Sequence, residues 1–75
     1  MGRYEPNDYV KVEIVDRASK ESEWLWVRVD GCDDERQLIF GTLDNIPAVN
    51  VELRLGQQLA ISYNKIRDRR KASDF

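Results

Sequence analysis

The sequence contains no histidine and only one cysteine in its 75 residues. The lack of histidine removes the commonest general base, the commonest metal ligand and every serine–histidine or cysteine–histidine relay. A single cysteine excludes an internal disulfide and a zinc site built from several cysteines. Paired carboxylates remain, but so short a chain has little room for a deep apolar cleft that would shift their pKa values. We therefore expect a non-catalytic protein without a metal or a cofactor.

Long apolar stretches are absent as well. No run approaches the roughly 18 apolar residues of a membrane-spanning helix, and the first residues show no apolar core of a signal peptide. A disulfide-free chain suits the reducing cytoplasm, so we expect a cytoplasmic protein that does not bind membranes. A chain of this length buries only about 60% of the surface that its unfolded form exposes. It therefore holds a single domain, for which association with a partner is expected.

Charge is unevenly distributed along the chain. Hydrophobic residues make up 41% of the sequence and charged residues 35%, which is typical of a globular protein. The formal charge of −2 divides into −5 for residues 1–63 and +3 for residues 64–75. The sequence thus combines an acidic body with a basic C-terminal segment.

Alternation of apolar and polar residues predicts five short strands, over residues 9–15, 24–29, 38–43, 49–55 and 58–63. Turns are predicted at residues 30–35, where Asp-Gly is a strong hairpin signal, at 44–47, where Asn45 and Pro47 form the turn, and at Gly56-Gln57. Gly41 inside the third strand is typical of a bulge or a sharp bend. A short helical turn with Asn64 as its cap and Ile66 as its apolar anchor follows the last strand.

The predicted fold class is all-β, because no helix is long enough for a crossover connection. A flat five-stranded sheet exposes two edges, and curling it removes most of that cost. We therefore expect a small antiparallel SH3-like barrel or curled sheet, with a five-stranded sheet plus a terminal helix as the alternative. Residues 1–8 are predicted to be an irregular lead-in, 9–68 a single β domain, and 69–75 a frayed basic tail.

An ordered series of short motifs runs through residues 9–68. The matching residues are Tyr9-Val10-Lys11, then Glu23 with Trp26 and Val27, then Gly41, Leu43, Asn45 and Pro47, then Gly56, and last Ile66 and Asp68. In this order the chain resembles a small bacterial domain-of-unknown-function family, the one numbered twenty-three fourteen. Two positions depart from its pattern, since Tyr9 stands where tryptophan is common and Arg69 where an aromatic residue is common. The family has no established catalytic activity, so the resemblance implies the fold rather than a function.

The main candidate site is an aromatic and charged surface. Alternation predicts that Leu25, Val27 and Val29 face the core and that Trp24, Trp26 and Arg28 face outward, with Glu23 just before them. Exposed tryptophan beside arginine is the composition of a binding hot spot, although packing of either ring in a second small cluster remains an alternative. The acidic turn adds three more candidates for docking on a basic partner surface, or else is simply solvated: Asp33, Asp34 and Glu35.

These residues predict a protein-interaction module, with a bacterial or phage inhibitor or an immunity-like protein as the kind of molecule that fits this size. The alternative is nucleic-acid or nucleotide binding through the basic segment, whose members are Lys65, Arg67, Arg69, Arg70 and Lys71. No aromatic residue interleaves with that segment, so it lacks a local platform for stacking bases, and a solvated tail is the simpler interpretation. A homodimer that completes its own core is a third interpretation.

Overall fold

The computed structural model describes residues 4–47 and 53–71, which form a single antiparallel sheet of five strands. The elements are β1 (Asp8–Val15), β2 (Ser22–Asp33), β3 (Leu38–Leu43), β4 (Gln58–Ser62), a 3-10 turn (Tyr63–Lys65) and β5 (Ile66–Lys71). The strand order is β4-β3-β2-β1-β5, and the sheet is not closed. The all-β class, the five antiparallel strands and the curled sheet are confirmed, whereas the SH3-like barrel stays a prediction. No helix in the described ranges has the length and apolar character needed to cross a membrane.

The predicted turn at residues 30–35 is wrong, because β2 continues through Asp30 and Gly31 as far as Asp33. The register between β2 and β3 shifts between Val29 and Gly31, so the Asp-Gly pair lies at a bulge within a strand pair. The reversal comes later, over residues 34–37. An Asp-Gly pair that is typical of a hairpin turn thus lies within one long strand.

One of the five strands of the sheet comes from a different part of the sequence than predicted. Most of the predicted strand over 49–55 lies outside the described residues, and the described part, 53–55, is not in a strand. Ile66–Lys71 instead forms β5, which pairs with β1, so residues 69–71 of the predicted frayed tail belong to the sheet. A short helical turn is present at Tyr63–Lys65, but Ser62 rather than Asn64 occupies its N-cap position, and Ile66, its predicted apolar anchor, begins β5.

The core lies on one face of the sheet, and in β1 and β2 it follows the predicted alternation. Its buried members are Val10, Val12, Leu25, Val27, Val29, Ile39, Leu43 and Ile61. Burial of each such side chain stabilises the fold by about 1.5–3 kcal/mol. The opposite face of the sheet carries mainly polar and aromatic residues. Gly41 is buried between Ile39 and Leu43, where the backbone of β3 lies against Val27 and Arg28 of β2.

Asn45 holds the chain against β2 after β3 ends. Its Oδ1 accepts a hydrogen bond of 2.6 Å from the backbone N–H of Trp26, and the backbone N–H of Asp44 donates to the Trp26 carbonyl at 2.9 Å. These two bonds satisfy the backbone groups of Trp26 beyond the end of the β2–β3 ladder. The N–H and the carbonyl of Trp26 are thus both bonded to the segment that follows β3, and the turn predicted at 44–47 is only a bend at Asn45.

Candidate interaction surface

The two tryptophans lie on the face of the sheet that is turned away from the core. Trp24 is 48% exposed, while Trp26 is half-buried, so the structure places the first ring in solvent and the second partly among its neighbours. Arg28 follows them on the same face and is exposed. Glu23 does not join them, because strand alternation places it on the same face of the sheet as Leu25. In the β1–β2 pair it lies opposite Ile14.

Strand β1 supplies neighbours that the sequence analysis did not identify. Tyr9, Lys11 and Glu13 lie directly opposite Arg28, Trp26 and Trp24 in the β1–β2 register, and residues opposite each other share a face. The Nζ of Lys11 lies 5.7 Å from the centre of the Trp24 ring, within the range of a cation–π contact. Alternation alone places Lys11 and Glu13 on the polar face, but only the strand register shows which rings they meet.

Strand β5 brings part of the basic segment to the same face. Arg70 lies opposite Tyr9, and its Cζ is 6.0 Å from the centre of the Trp26 ring. Asp68 lies opposite Lys11 and pairs with Arg70, with 3.7 Å between Nε and Oδ2. The prediction that the basic segment has no aromatic neighbour is therefore correct for the sequence but wrong for the folded chain. We call this surface the tryptophan face; it comprises Tyr9, Lys11, Glu13, Trp24, Trp26, Arg28, Asp68 and Arg70.

The other basic residues of this segment are engaged elsewhere. Arg69 lies opposite Val10 on the core side, and its Nε and Nη2 both donate to Oδ2 of Asp8, at 3.0 and 2.6 Å. Lys71 lies 3.6 Å from Glu5 and 3.7 Å from Asp8. Two further members lie near the junction with the 3-10 turn: Arg67, which pairs with Glu13 at 3.3 Å, and Lys65. The segment is thus a strand with separate partners rather than one cationic patch.

Asp8 anchors β5 to β1. Its side chain is nearly fully buried, and it also accepts a bond of 3.1 Å from the backbone N–H of Glu5. Burial on its own raises the pKa of Asp8, but the Glu5 N–H, the Arg69 guanidinium and the Lys71 ammonium outweigh burial and hold this pKa below its ordinary value of 3.8. The carboxylate therefore stays charged and holds two cations of β5 against the core.

The acidic turn is engaged in local structure at the far end of β2. Oδ1 of Asp33 accepts bonds from the backbone N–H groups of Glu35 and Arg36, at 3.1 and 3.2 Å. Asp34 accepts a bond of 2.5 Å from the hydroxyl of Tyr63, and partial burial, followed by this bond, raises the pKa of that phenol above its ordinary value of 10. Within the described ranges, no three potential ligand side chains meet in a way that holds a metal ion.

The residues predicted to bind a partner therefore lie in two separate regions of the structure. Asp33 lies nine positions after Trp24 in β2, which corresponds to about 30 Å along an extended strand. Asp33, Asp34 and Glu35 therefore do not extend the tryptophan face. The residues that adjoin the two tryptophans on this face come instead from β1 and β5.

Charges on the tryptophan face are close to balance. Arg28 lies 3.9 Å from Asp30, which follows it on β2, and Arg70 and Glu13 have the ion pairs given above. Phe40, on the outward side of β3, adds another exposed ring to this side of the sheet. The arrangement presents aromatic rings flanked by cations on one face of the sheet. Comparison of the chain with protein-family models, curated proteins and solved structures found no match, so the family resemblance remains a prediction.

Proposed function

We propose that this chain is a non-catalytic protein-interaction module that binds a partner protein through the tryptophan face. The observation that carries this proposal is the exposure of Trp24 beside Trp26, with Lys11 and Arg70 next to the two rings. Tryptophan and arginine dominate interface hot spots, because a large ring buries much surface at little conformational cost. The inhibitor or immunity-like role predicted from chain size is one form that such a module takes.

The geometry favours a protein ligand over a small molecule or a polyanion. Two of the three cations on the face are paired with carboxylates, Arg28 with Asp30 and Arg70 with Asp68. Protein interfaces have this mixture of aromatic rings, arginine and near-balanced charge, whereas polyanion sites carry a clear excess of cations. Because the rings are already held by the sheet, little ordering cost opposes binding.

Replacement of Trp24 by alanine should abolish partner capture. The ring is exposed, so its removal leaves the core intact while deleting the largest contact of the proposed interface. The measurement is affinity capture from cells with the immobilised chain, with quantitative mass spectrometry comparing wild type, Trp24→Ala and a matched control. Leu55→Ala is that control, since Leu55 is a 59% exposed apolar residue in the turn before β4 and is not a member of the tryptophan face.

We expect a partner protein retained by wild type and Leu55→Ala and lost with Trp24→Ala. Thermal unfolding of the three proteins should give similar midpoints, because neither residue belongs to the core. Capture of the same proteins in the same amounts by all three would remove the tryptophan face from the account.

Nucleic-acid binding is the second candidate, and the position of Arg70 beside Trp26 favours it. Stacking platforms for single strands combine aromatic rings with cations in this way. Deleting the basic segment from Lys65 onward does not test this candidate cleanly, because the deletion removes β5 from the sheet. The point variant Arg70→Gln keeps the strand and removes only the cation.

If nucleic acid is the ligand, a short single-stranded oligonucleotide should bind at low salt, and Arg70→Gln should weaken that binding. The affinity should also fall steeply as salt rises, with a slope of about −0.7 per neutralised phosphate. Fluorescence anisotropy of a labelled oligonucleotide measures both effects. No binding at low salt, or equal binding by Arg70→Gln, would eliminate this candidate and leave the protein partner.

A further inference from the structure

The two edges of the sheet differ in how they are protected. β5 forms one edge, and five of its six residues are charged. β4 forms the other edge and has no charged residue in its sequence, Gln-Leu-Ala-Ile-Ser. Natural sheets discourage added strands by placing charges on their edges, so β5 is closed to strand addition by this criterion and β4 is open.

The backbone of β4 offers hydrogen-bonding groups along that open edge. Tyr63 N–H donates to the carbonyl of Gln37, and Leu43 N–H donates to the carbonyl of Gln57. These bonds, one beyond each end of the β3–β4 ladder, show which residue pairs are hydrogen-bonded. Bonding alternates in an antiparallel pair. The backbone groups of Leu59 and Ile61 therefore point toward β3, and those of Gln58, Ala60 and Ser62 point away from it, where the described residues place no further strand.

An open groove of about 530 Å³ borders this edge, between β4 and the C-terminal end of β1. Its apolar lining includes Ile14, Leu53, Leu59 and Ile61. At its rim, Glu13 is paired with Arg67. The cations Arg17 and Lys65 also line the groove, and neither has an ion pair with another described residue.

We infer that the outer edge of β4 and this groove bind an extended segment of a partner protein, by antiparallel strand addition. The segment carries apolar side chains at alternate positions for the groove and a carboxylate that meets Arg17 and Lys65. The backbone groups of Gln58, Ala60 and Ser62 provide affinity, and the lining provides specificity, as in other cases of strand addition. This surface shares only Glu13, at the rim of the groove, with the tryptophan face, and strand addition to β4 does not use the two tryptophans.

Charge complementarity selects a partner segment over a second copy of this chain. A copy that paired through its own β4 would bring an uncharged strand into the groove and offer no carboxylate to the two cations. Two-fold symmetry would also place the copy's equivalent cations at the same interface, where they repel. An acidic segment satisfies both cations.

The probe is an N-acetylated peptide that begins with glutamate and continues with alternating valine and threonine. It is titrated into the isotope-labelled full chain and followed by NMR amide shifts. Two independent variants test the site. Ala60→Pro removes an outward N–H without removing a bond to β3. The double reversal Arg17→Glu with Lys65→Glu leaves the backbone unchanged, and its matched control is Arg36→Glu in the turn between β2 and β3.

We expect saturable shifts at the amides of Gln58, Ala60 and Ser62, with no saturation for Ala60→Pro and about tenfold weaker binding for the double reversal. A peptide that begins with lysine should also bind about tenfold more weakly, and Arg36→Glu should bind as wild type does. Absence of saturable shifts at these amides, or equal affinity after the double reversal, would overturn the proposal. Sedimentation showing a dimer that Ala60→Pro abolishes would overturn it in favour of a second copy.

Discussion

Gly41→Val should destabilise the fold by about 3 kcal/mol, the upper range for overpacking a core. A β carbon at this position would lie 2.5 Å from Cγ1 of Val27 and 2.6 Å from the backbone carbonyl oxygen of Arg28. The side chain of Val27 is fully buried and the Arg28 oxygen belongs to the neighbouring strand, so neither has room to retreat. Since a domain of this length has about 4–11 kcal/mol of total stability, the variant should be partly unfolded on mild heating.

Gly31→Ala is the matched control. Gly31 also lies in the β2–β3 pair, close to the same bulge, but a β carbon there meets no atom within 4 Å. Urea unfolding monitored by tryptophan fluorescence should therefore give a midpoint near that of wild type for Gly31→Ala and a much lower one for Gly41→Val. Equal midpoints for the two variants would show that β3 does not approach β2 as closely as described.

Asp8→Asn should remove about 2 kcal/mol of stability at neutral pH. Asp8 is 3% exposed, and loss of one member of a buried pair costs about 3–5 kcal/mol. The Arg69 side chain is 38% exposed, so solvent screens the pair and we expect the smaller effect. The variant keeps an oxygen for the Glu5 N–H and loses the charge that holds β5.

The effect of Asp8→Asn should disappear in acid. Because the pKa of Asp8 in the folded protein lies below its ordinary 3.8, the charged carboxylate stabilises the fold above 3.8, and this contribution is lost as pH falls through the folded-state value. Urea midpoints of wild type and Asp8→Asn should therefore differ at neutral pH and converge well below 3.8.

Asp16→Asn is the control for that pH series. Asp16 also has a lowered pKa, because it accepts bonds from the backbone N–H and the hydroxyl of Ser19, but it lies in an exposed turn and contacts no cation of β5. It should change the midpoint far less than Asp8→Asn does. A difference between wild type and Asp8→Asn that stays constant from neutral pH to strong acid would contradict the role given to this carboxylate.

Periodicity predicted those strands whose two faces differ in polarity. β1 appears with nearly the predicted bounds, because Val10 and Val12 alternate with polar neighbours, and β3 has the predicted bounds. The course of β2 beyond Val29 was missed because the Asp-Gly pair carries the same signal in a bulge as in a hairpin turn. β5 was missed because five of its six residues are charged and Ile66 is its only apolar residue, so no hydrophobic pattern marks it. β5 is held mainly by the bond between Arg69 and Asp8. Because the two residues are 61 positions apart, this bond produces no local pattern in the sequence.

The candidate site was predicted in part. The outward position of Trp24, Trp26 and Arg28 follows from alternation alone and is seen in the structure. The register of β1 against β2 and β5 adds Tyr9, Lys11 and Arg70, and register depends on pairings between distant segments. The continuation of β2 to Asp33 separates the acidic turn from the tryptophans.

Affinity of the captured partner for the purified chain tests the central claim most directly, namely that the tryptophan face is a protein-binding surface. Calorimetric titration of that partner into wild type, Trp24→Ala and Leu55→Ala compares the two exposed positions under identical conditions. The account predicts about 30-fold weaker binding by Trp24→Ala, the loss typical of a hot-spot residue, and unchanged binding by Leu55→Ala. Equal affinities for wild type and Trp24→Ala would contradict it.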